Sequence, residues 1–222
     1  MTALFVTALI AANVIAVKLI APFGWVVPAA IVIFPMTYIF GDVLTEVYGY
    51  ARARQVIWLG FFCNLLFVLA MIAGERVPAA GFWDGQPAYE RILGYTPRLL
   101  AASFIAYLIG GFVNSFVLAR LKLATAGRFL WLRTIGSTLL GQGVDSLVFG
   151  TLAFVGEVPG PVLREIVWHN WVLKVAYETL ATPVTYAIVN YLKRIEGVDH
   201  YDHDTNWNPL GFGGRTATEA RP

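Results

Sequence analysis

Six long apolar runs constrain the fold of this sequence more than any other feature. A helix needs about 20 mostly apolar residues to cross the hydrocarbon core of a bilayer. Runs of this length cover residues 2–21, 25–48, 54–73, 97–120, 134–156 and 165–192. Lipid offers no hydrogen-bond partners to the backbone, so only helices and closed barrels span it. The sequence therefore predicts an all-α integral membrane protein, a bundle of six transmembrane helices.

The composition excludes most soluble functions. Charged residues make up 14% of the 222 residues, whereas a soluble domain has about 25%. A net charge of +2 does not indicate a nucleic-acid partner. The single cysteine, Cys63, supports neither a disulfide framework nor a thiolate metal site. The sequence has no phosphate-binding G-x-x-x-x-G-K-[S/T] loop and no H-E-x-x-H pattern. We therefore expect no enzyme, no cofactor and no metal.

Lysine and arginine are distributed unevenly between the two sets of loops. Ten of them fall on one side and four on the other, and the loop at 121–133 contains no acidic residue. Cytoplasmic loops carry the excess of positive charge, so both termini and this loop are predicted to be cytoplasmic. We expect one transporter domain at 1–202 and a mobile, polar cytoplasmic tail at 203–222.

Proline and glycine predict irregular helices. Pro28, Pro35 and Gly41 are expected to kink or break the second helix, and Pro183 the sixth. A broken helix survives at membrane depth only where protein or a water-filled cavity satisfies its freed backbone groups. These interruptions are therefore compatible with a polar interior.

Polar residues on one face of the fifth helix predict a buried site. Gln142, Asp145, Ser146 and Phe149 follow the i, i+3, i+4, i+7 spacing of a single helical face. A charge at the centre of the bilayer costs at least ~2.5–3.5 kcal/mol and normally faces a partner or a water-filled cavity. Two interpretations of Asp145 stay open, namely an ion pair with a lysine of another helix or a ligand site.

The sixth and first helices add further polar candidates. Asn170, Lys174 and Glu178 are spaced four residues apart and share a face of the sixth helix. Asn13 and Lys18 lie in the first run. Lys18 is either a counter-charge for a buried acid or a side chain that reaches the membrane interface along its own stem.

The second helix carries two carboxylates one turn apart. Asp42 and Glu46 lie near Thr37, and at least one of them could face a cavity. The alternative is a cytoplasmic helix end whose acids are balanced by Arg52 and Arg54. Because four spans each contribute polar groups despite the cost of inserting them, we expect one central polar cavity at mid-membrane.

Five blocks of the sequence resemble a known family. They are ANVIAVKLI, FPMTYIFGDVLTEVYGYARARQVIW, SFIAYLIGGFVNSFVLARLK, LWLRTIGSTLLGQGVDSLVFG and LKVAYETLATPVTYAIVNYLKRIEGVDHYD, in this order between about residues 11 and 202. They are similar to the signature of the bacterial queuosine precursor transporters, or VUT family. The resemblance implies a six-helix inner-membrane protein that imports 7-cyano- and 7-aminomethyl-7-deazaguanine for salvage of the tRNA base queuosine. By position it carries over to Asn13, Lys18, Thr37, Asp42, Glu46, Gln142, Asp145, Lys174 and Glu178.

The resulting hypothesis gives each group a role. Asp145, with Asp42 or Glu46, binds the donor edge of the base, Gln142 contacts its carbonyl and Lys174 balances the charge. The aromatic ring of Phe149 on the fifth helix stacks on the base. We expect a homodimer in the lipid bilayer. The alternative is a substrate-capture subunit of an energy-coupling-factor importer for a vitamin or nucleobase, which would need separate ATPase and scaffold subunits.

Overall fold

The structure is a computed structural model that describes residues 1–16, 18–20, 27–94, 97–156 and 159–211, and most of these residues lie in seven α-helices. The helices are α1 (Thr2–Ile15), α2 (Phe34–Tyr48), α3 (Tyr50–Arg76), α4 (Gln86–Leu93), α5 (Pro97–Ala124), α6 (Leu130–Phe154) and α7 (Gly160–Glu196). A two-residue antiparallel ladder joins β1 (Leu19–Ile20) to β2 (Val27–Pro28). The all-helical fold class is therefore confirmed for these residues, apart from this short ladder.

Two helices in the described part of the chain have the length and hydropathy to cross a membrane. They are α3 and residues 101–124 of α5, while α1 is apolar but only 14 residues long. The exposed side chains of α3 include Phe62 and Leu66, which are 55% and 70% exposed. Such a surface suits contact with lipid, because lipid solvates apolar side chains without cost.

The predicted second helix is broken near its start. The ladder and a 3-10 turn (Ala29–Val32) replace its first turns, and α2 begins only at Phe34. Pro35 lies in the first turn of α2, where its missing N–H has no intrahelical partner to lose. The expected break at Gly41 does not occur, and α7 runs unbroken from Gly160 to Glu196 with Pro183 inside it.

A further helix, α4, lies in the segment predicted to be a loop between the third and fourth spans. The eight residues of α4 are amphipathic, and none of them is buried. The Tyr89 hydroxyl donates to the backbone carbonyl of Met71 on α3, 3.3 Å away. The apolar runs of the sequence did not indicate α4, because this helix is too short and too polar to span a bilayer.

Two glycines let α5 and α6 pack closely. A Cβ added to Gly110 would lie 2.6 Å from Cβ of Asp145, and one added to Gly141 would lie 2.6 Å from Cβ of Asn114. Small residues of this kind allow helix backbones to approach in membranes. The close approach brings the polar faces of α5 and α6 together.

The start of the predicted tail is ordered against the bundle. The Asp202 carboxylate accepts the backbone N–H of Tyr50 at the start of α3. Arg54 donates to the backbone carbonyls at positions 206 and 208, and the Trp207 ring packs against Tyr50. Residues 203–211, the first part of the predicted mobile tail, thus contact the bundle through polar and aromatic groups, and the mobility of the tail stays a prediction. The remainder of the tail lies outside the described residues.

Candidate functional site

A central cavity of about 200 Å³ lies between six of the helices. Helices α1, α2, α3, α5, α6 and α7 all contribute to its wall. Its polar lining residues are Asn13, Thr37, Tyr38, Asn64, Ser103, Tyr107, Asn114, Ser115, Gln142, Asp145, Asn170 and Lys174. The rings of Phe5 and Phe149 also line it. Clefts and cavities with converging polar groups and aromatic rings typically bind small molecules.

An ion pair between α6 and α7 forms part of the wall. The Lys174 amine donates to Oδ2 of Asp145 at 2.5 Å, and these side chains are 11% and 19% exposed. Lys174 also lies within hydrogen-bonding reach of the Tyr38 hydroxyl on α2. The geometry therefore matches the ion-pair interpretation of Asp145, and because Asp145 also lines the cavity, its role as a ligand site stays a prediction.

Seven of the twelve candidate residues from the sequence line this cavity. They are Asn13, Thr37, Gln142, Asp145, Phe149, Asn170 and Lys174. Helical spacing predicted their convergence, since each lies on the polar face of its own helix. That they bind a substrate stays a prediction.

A second polar layer lies behind the wall and contains two carboxyl groups. Asp42 is 0% exposed, and Glu178 is 1% exposed. The Asn114 amide, which lines the cavity, donates to Oδ1 of Asp42 at 2.8 Å. Oδ2 of Asp42 and both oxygens of Glu178 have no hydrogen-bond donor. Asp42 is thus connected to the cavity through Asn114 rather than exposed in it.

Glu46 is not part of the cavity. Arg133 binds its carboxylate through two hydrogen bonds of 3.0 and 2.7 Å, and Lys193 donates to it at 2.8 Å. The sequence hypothesis that Glu46 faces the cavity does not match this geometry. The expected cations were also wrong, since Arg54 binds tail carbonyls and Arg52 donates to Gln55 instead. The charge of Glu46 is balanced by cations as expected, but these cations come from other helices.

Two further candidates lie outside the cavity wall. The Lys18 side chain is exposed, because α1 ends at Ile15 and Lys18 falls in the turn before the β ladder. Ser146 is buried, and its hydroxyl has no hydrogen-bond partner. Neither residue is placed where it would touch a molecule in the cavity.

The sequence analysis missed two asparagines of the site. Asn64 on α3 accepts a hydrogen bond from the Asn13 amide at 2.8 Å, and Asn114 on α5 holds Asp42. Each interrupts a run of apolar residues, so the rule applied to Asp145 would have found them. Tyr107 also lines the cavity and donates to the backbone carbonyl of Ile57 at 3.0 Å.

The site offers hydrogen-bond donors, acceptors and aromatic rings but no metal-binding cluster. Within the described ranges, no three His, Cys, Asp or Glu side chains are grouped as metal ligands. Acceptors such as Asp145 and Gln142 lie in the same wall as the donor Lys174 and the ring of Phe149. This set suits a compact, polar, planar molecule.

Comparison with known proteins gives a consistent family. Residues 28–188 match the family described as putative vitamin uptake transporter. A probable queuosine precursor transporter from Bacillus subtilis is 31% identical over 181 residues, which cover 81% of this chain and 79% of the relative. The queuosine precursor transporter of Escherichia coli is 29% identical over 121 residues, 54% of this chain and 52% of the relative. A probable queuosine precursor transporter from Haemophilus influenzae is 25% identical over 123 residues, 54% of this chain and 49% of the relative.

No solved structure matches this chain. The family match covers well over half of the sequence and includes α2, α3, α5, α6 and most of α7. It therefore includes the cavity wall from Thr37 to Lys174. The chain belongs to the family of putative vitamin uptake transporters and is a membrane transporter rather than an enzyme.

Proposed function

We propose that this protein imports queuosine precursors, the 7-cyano- and 7-aminomethyl-7-deazaguanine bases, through its central cavity. The observation that carries the proposal is the central cavity that Asp145, Gln142 and Phe149 line together. The relatives named as queuosine precursor transporters support the choice of substrate class. A guanine-type base presents an N1–H and an exocyclic amine on one edge, and a carboxylate accepts such a pair of donors.

Three contacts would recognise the base. Lys174 occupies Oδ2 of Asp145, so Oδ1 is the oxygen we assign to the donor edge. Gln142 lines the cavity, and the N–H groups of its side-chain amide would donate to the base carbonyl. Phe149 stacks on the ring, a contact worth about 1–3 kcal/mol per base.

We also propose six spans in the bacterial inner membrane with both termini in the cytoplasm. The ends of α2, α5 and α7 meet the start of α6 in one charged cluster, where Glu46 contacts Lys122, Arg133 and Lys193. This arrangement supports the topology expected from the distribution of basic residues, since all four ends belong on the positively charged side.

Thermal stabilisation of the purified protein tests the substrate class. We expect both deazaguanines to raise the melting temperature, and guanine or common vitamins to raise it less, because a ligand that binds only the folded state stabilises it. A vitamin that stabilises the protein while the deazaguanines do not would contradict the proposal.

The Asp145→Asn variant tests the binding site. It should insert and purify but lose most of its affinity for the 7-cyano compound, because a neutral amide accepts more weakly than the carboxylate and leaves Lys174 without its counter-charge. Asp84→Asn, at an exposed loop position, is the matched control and should bind normally. Normal affinity in Asp145→Asn would remove Asp145 from the site.

Uptake by the purified chain in liposomes separates an independent transporter from a substrate-capture subunit. We expect the chain alone to equilibrate the 7-cyano base across the bilayer. Uptake that appears only after ATPase and scaffold subunits are added would establish the capture-subunit alternative.

A further inference from the structure

Asp42 and Glu178 form a carboxyl pair that the binding role leaves unexplained. The two side chains come from α2 and α7, are almost fully buried, and lie within hydrogen-bonding reach of each other. Three of their four oxygens receive no hydrogen bond from any other group. Buried polar atoms are nearly always satisfied, so this arrangement requires an explanation.

A shared proton satisfies the pair. An ionised carboxylate can only accept hydrogen bonds, whereas a protonated carboxyl group can donate one. Two ionised carboxylates in contact, away from water, repel each other strongly. One proton between Asp42 and Glu178 removes one charge and converts the contact into a hydrogen bond.

The charged neighbours do not neutralise the pair. In the described part of the chain, neither carboxyl group forms an ion pair with a lysine, arginine or histidine. On α7 and α6, Lys174 is paired with Asp145. On α2, the Glu46 charge is compensated by its own cations. The neighbour from α5 is the neutral amide of Asn114, and α1 and α3 contribute the neutral amides of Asn13 and Asn64 to the nearby wall.

We infer that Asp42 and Glu178 hold one exchangeable proton, and that this proton crosses the membrane together with the base. This inference rests on the proposed import function. Asn114 links the two events because its side chain both lines the cavity and donates to Asp42. In each cycle, one O–H bond forms at the pair when water from the outside delivers a proton. The same bond breaks when the inward-facing pair returns the proton to water on the inside.

Accumulation and exchange in liposomes test the coupling. Counterflow exchange of the 7-cyano base needs no gradient and measures transport alone. An inward proton gradient should drive accumulation of up to about tenfold per pH unit if one proton accompanies each neutral base. Exchange without gradient-driven accumulation would overturn the coupling and leave the proposed function intact. Failure of exchange would defeat the proposed function itself, and the coupling with it.

The Glu178→Gln variant tests the pair directly. Its amide donates to Asp42 permanently, so no exchangeable proton is required. The accumulation ratio, which is the inside concentration of the base divided by the outside concentration, should fall from about tenfold per pH unit to about one. Counterflow exchange should continue. Glu165→Gln, at an exposed position of the same helix, should keep the wild-type ratio. An unchanged ratio in Glu178→Gln would contradict the inference, as would wild-type accumulation driven by a sodium gradient but not by a proton gradient.

Infrared spectroscopy gives a readout that does not depend on transport. The detergent-purified protein at neutral pH should show the C=O stretch of a protonated carboxyl group, and the difference spectrum should lose it in Glu178→Gln and in Asp42→Asn. The band should remain in Glu165→Gln. A wild-type protein without this band holds no proton at the pair, and the inference would then be wrong.

Discussion

Asp42 and Glu46 lie one turn apart on α2 and are both 0% exposed, yet their surroundings are opposite. Glu46 is surrounded by cations from α5, α6 and α7. Asp42 is bound by a neutral amide and faces a second carboxyl group. A buried carboxylate can be compensated by cations, as at Glu46, or its charge can be reduced by protonation, as inferred for the pair of Asp42 and Glu178. Two neighbouring turns of α2 follow these two solutions.

The different surroundings give the two carboxyl groups different roles, because Glu46 joins helix ends and Asp42 lies next to the cavity. The Glu46 cluster joins four helix ends on the side where the basic residues lie, and it has no contact with the cavity. Asp42 is connected to the cavity through Asn114, and its Oδ2 atom has no hydrogen-bond donor. We therefore expect substitutions at Glu46 to change stability, and isosteric substitutions at Asp42 to change transport.

The largest effect on stability is expected for Glu46→Gln. This substitution leaves Arg133, which is only 1% exposed, without its counter-charge. Removing one partner of a buried ion pair costs about 3–5 kcal/mol, and an amide that still accepts one hydrogen bond places the loss near the lower figure. Unfolding of the detergent-purified protein measures it, with Glu165→Gln as the exposed control. Unfolding free energies equal to wild type would show that Glu46 does not anchor the helix ends.

Asp42→Asn should have a much smaller effect on the same measurement. The new amide can accept the hydrogen bond from Asn114 and donate to Glu178, so both contacts of residue 42 are kept. We expect the unfolding free energy to change by less than about 1 kcal/mol, the net value of a typical hydrogen bond. A loss as large as that of Glu46→Gln would contradict the different roles assigned to Asp42 and Glu46.

The sequence predicts the elements of this fold better than their mutual contacts. The apolar runs indicated the major helices, and an i, i+3, i+4 face located Gln142 and Asp145 in the wall. The sequence could not assign Asp42 and Glu46 their different roles, because both are carboxylates and they lie only one turn apart on the same helix. The deciding partners are up to 147 residues away, as for Lys193 and Glu46. Such contacts depend on how the helices pack, which no local pattern contains.

Sequence composition also gives little information on polar segments that pack against the bundle. The short helix α4 carries no buried residue, and the segment around Trp207 looks like a flexible tail by composition. In the structure, Trp207 packs on Tyr50, and Arg120 lies 5.6 Å from the centre of its ring. Aromatic and cationic side chains can fix a glycine- and asparagine-rich segment in this way, but only when the receiving surface is already formed.

The smallest effect is expected at the outer edge of the Glu46 cluster, where Asp199 follows α7. Partial burial of Asp199 opposes its ionisation, but hydrogen bonds from Lys122 and Lys193 outweigh this and hold the pKa of its carboxyl group below the ordinary 3.8. Because the folded pKa is depressed, the stabilisation is present above the unfolded pKa and is lost as pH falls through the folded pKa. The Asp199 side chain is 42% exposed, so solvent screens the contact.

Asp199→Asn should lower the melting temperature at neutral pH by at most about 4 °C, as expected for a screened pair in a chain of this size. The difference from wild type should shrink below about pH 4, where the unfolded carboxyl group is protonated. Thermal melting across this pH range measures it, with the exposed Asp204→Asn as the control. A difference that persists unchanged at acid pH would mean that Asp199 acts through packing. In that case the ionic anchor of α2 would end at Glu46, Arg133 and Lys193 and would not extend into the segment after α7.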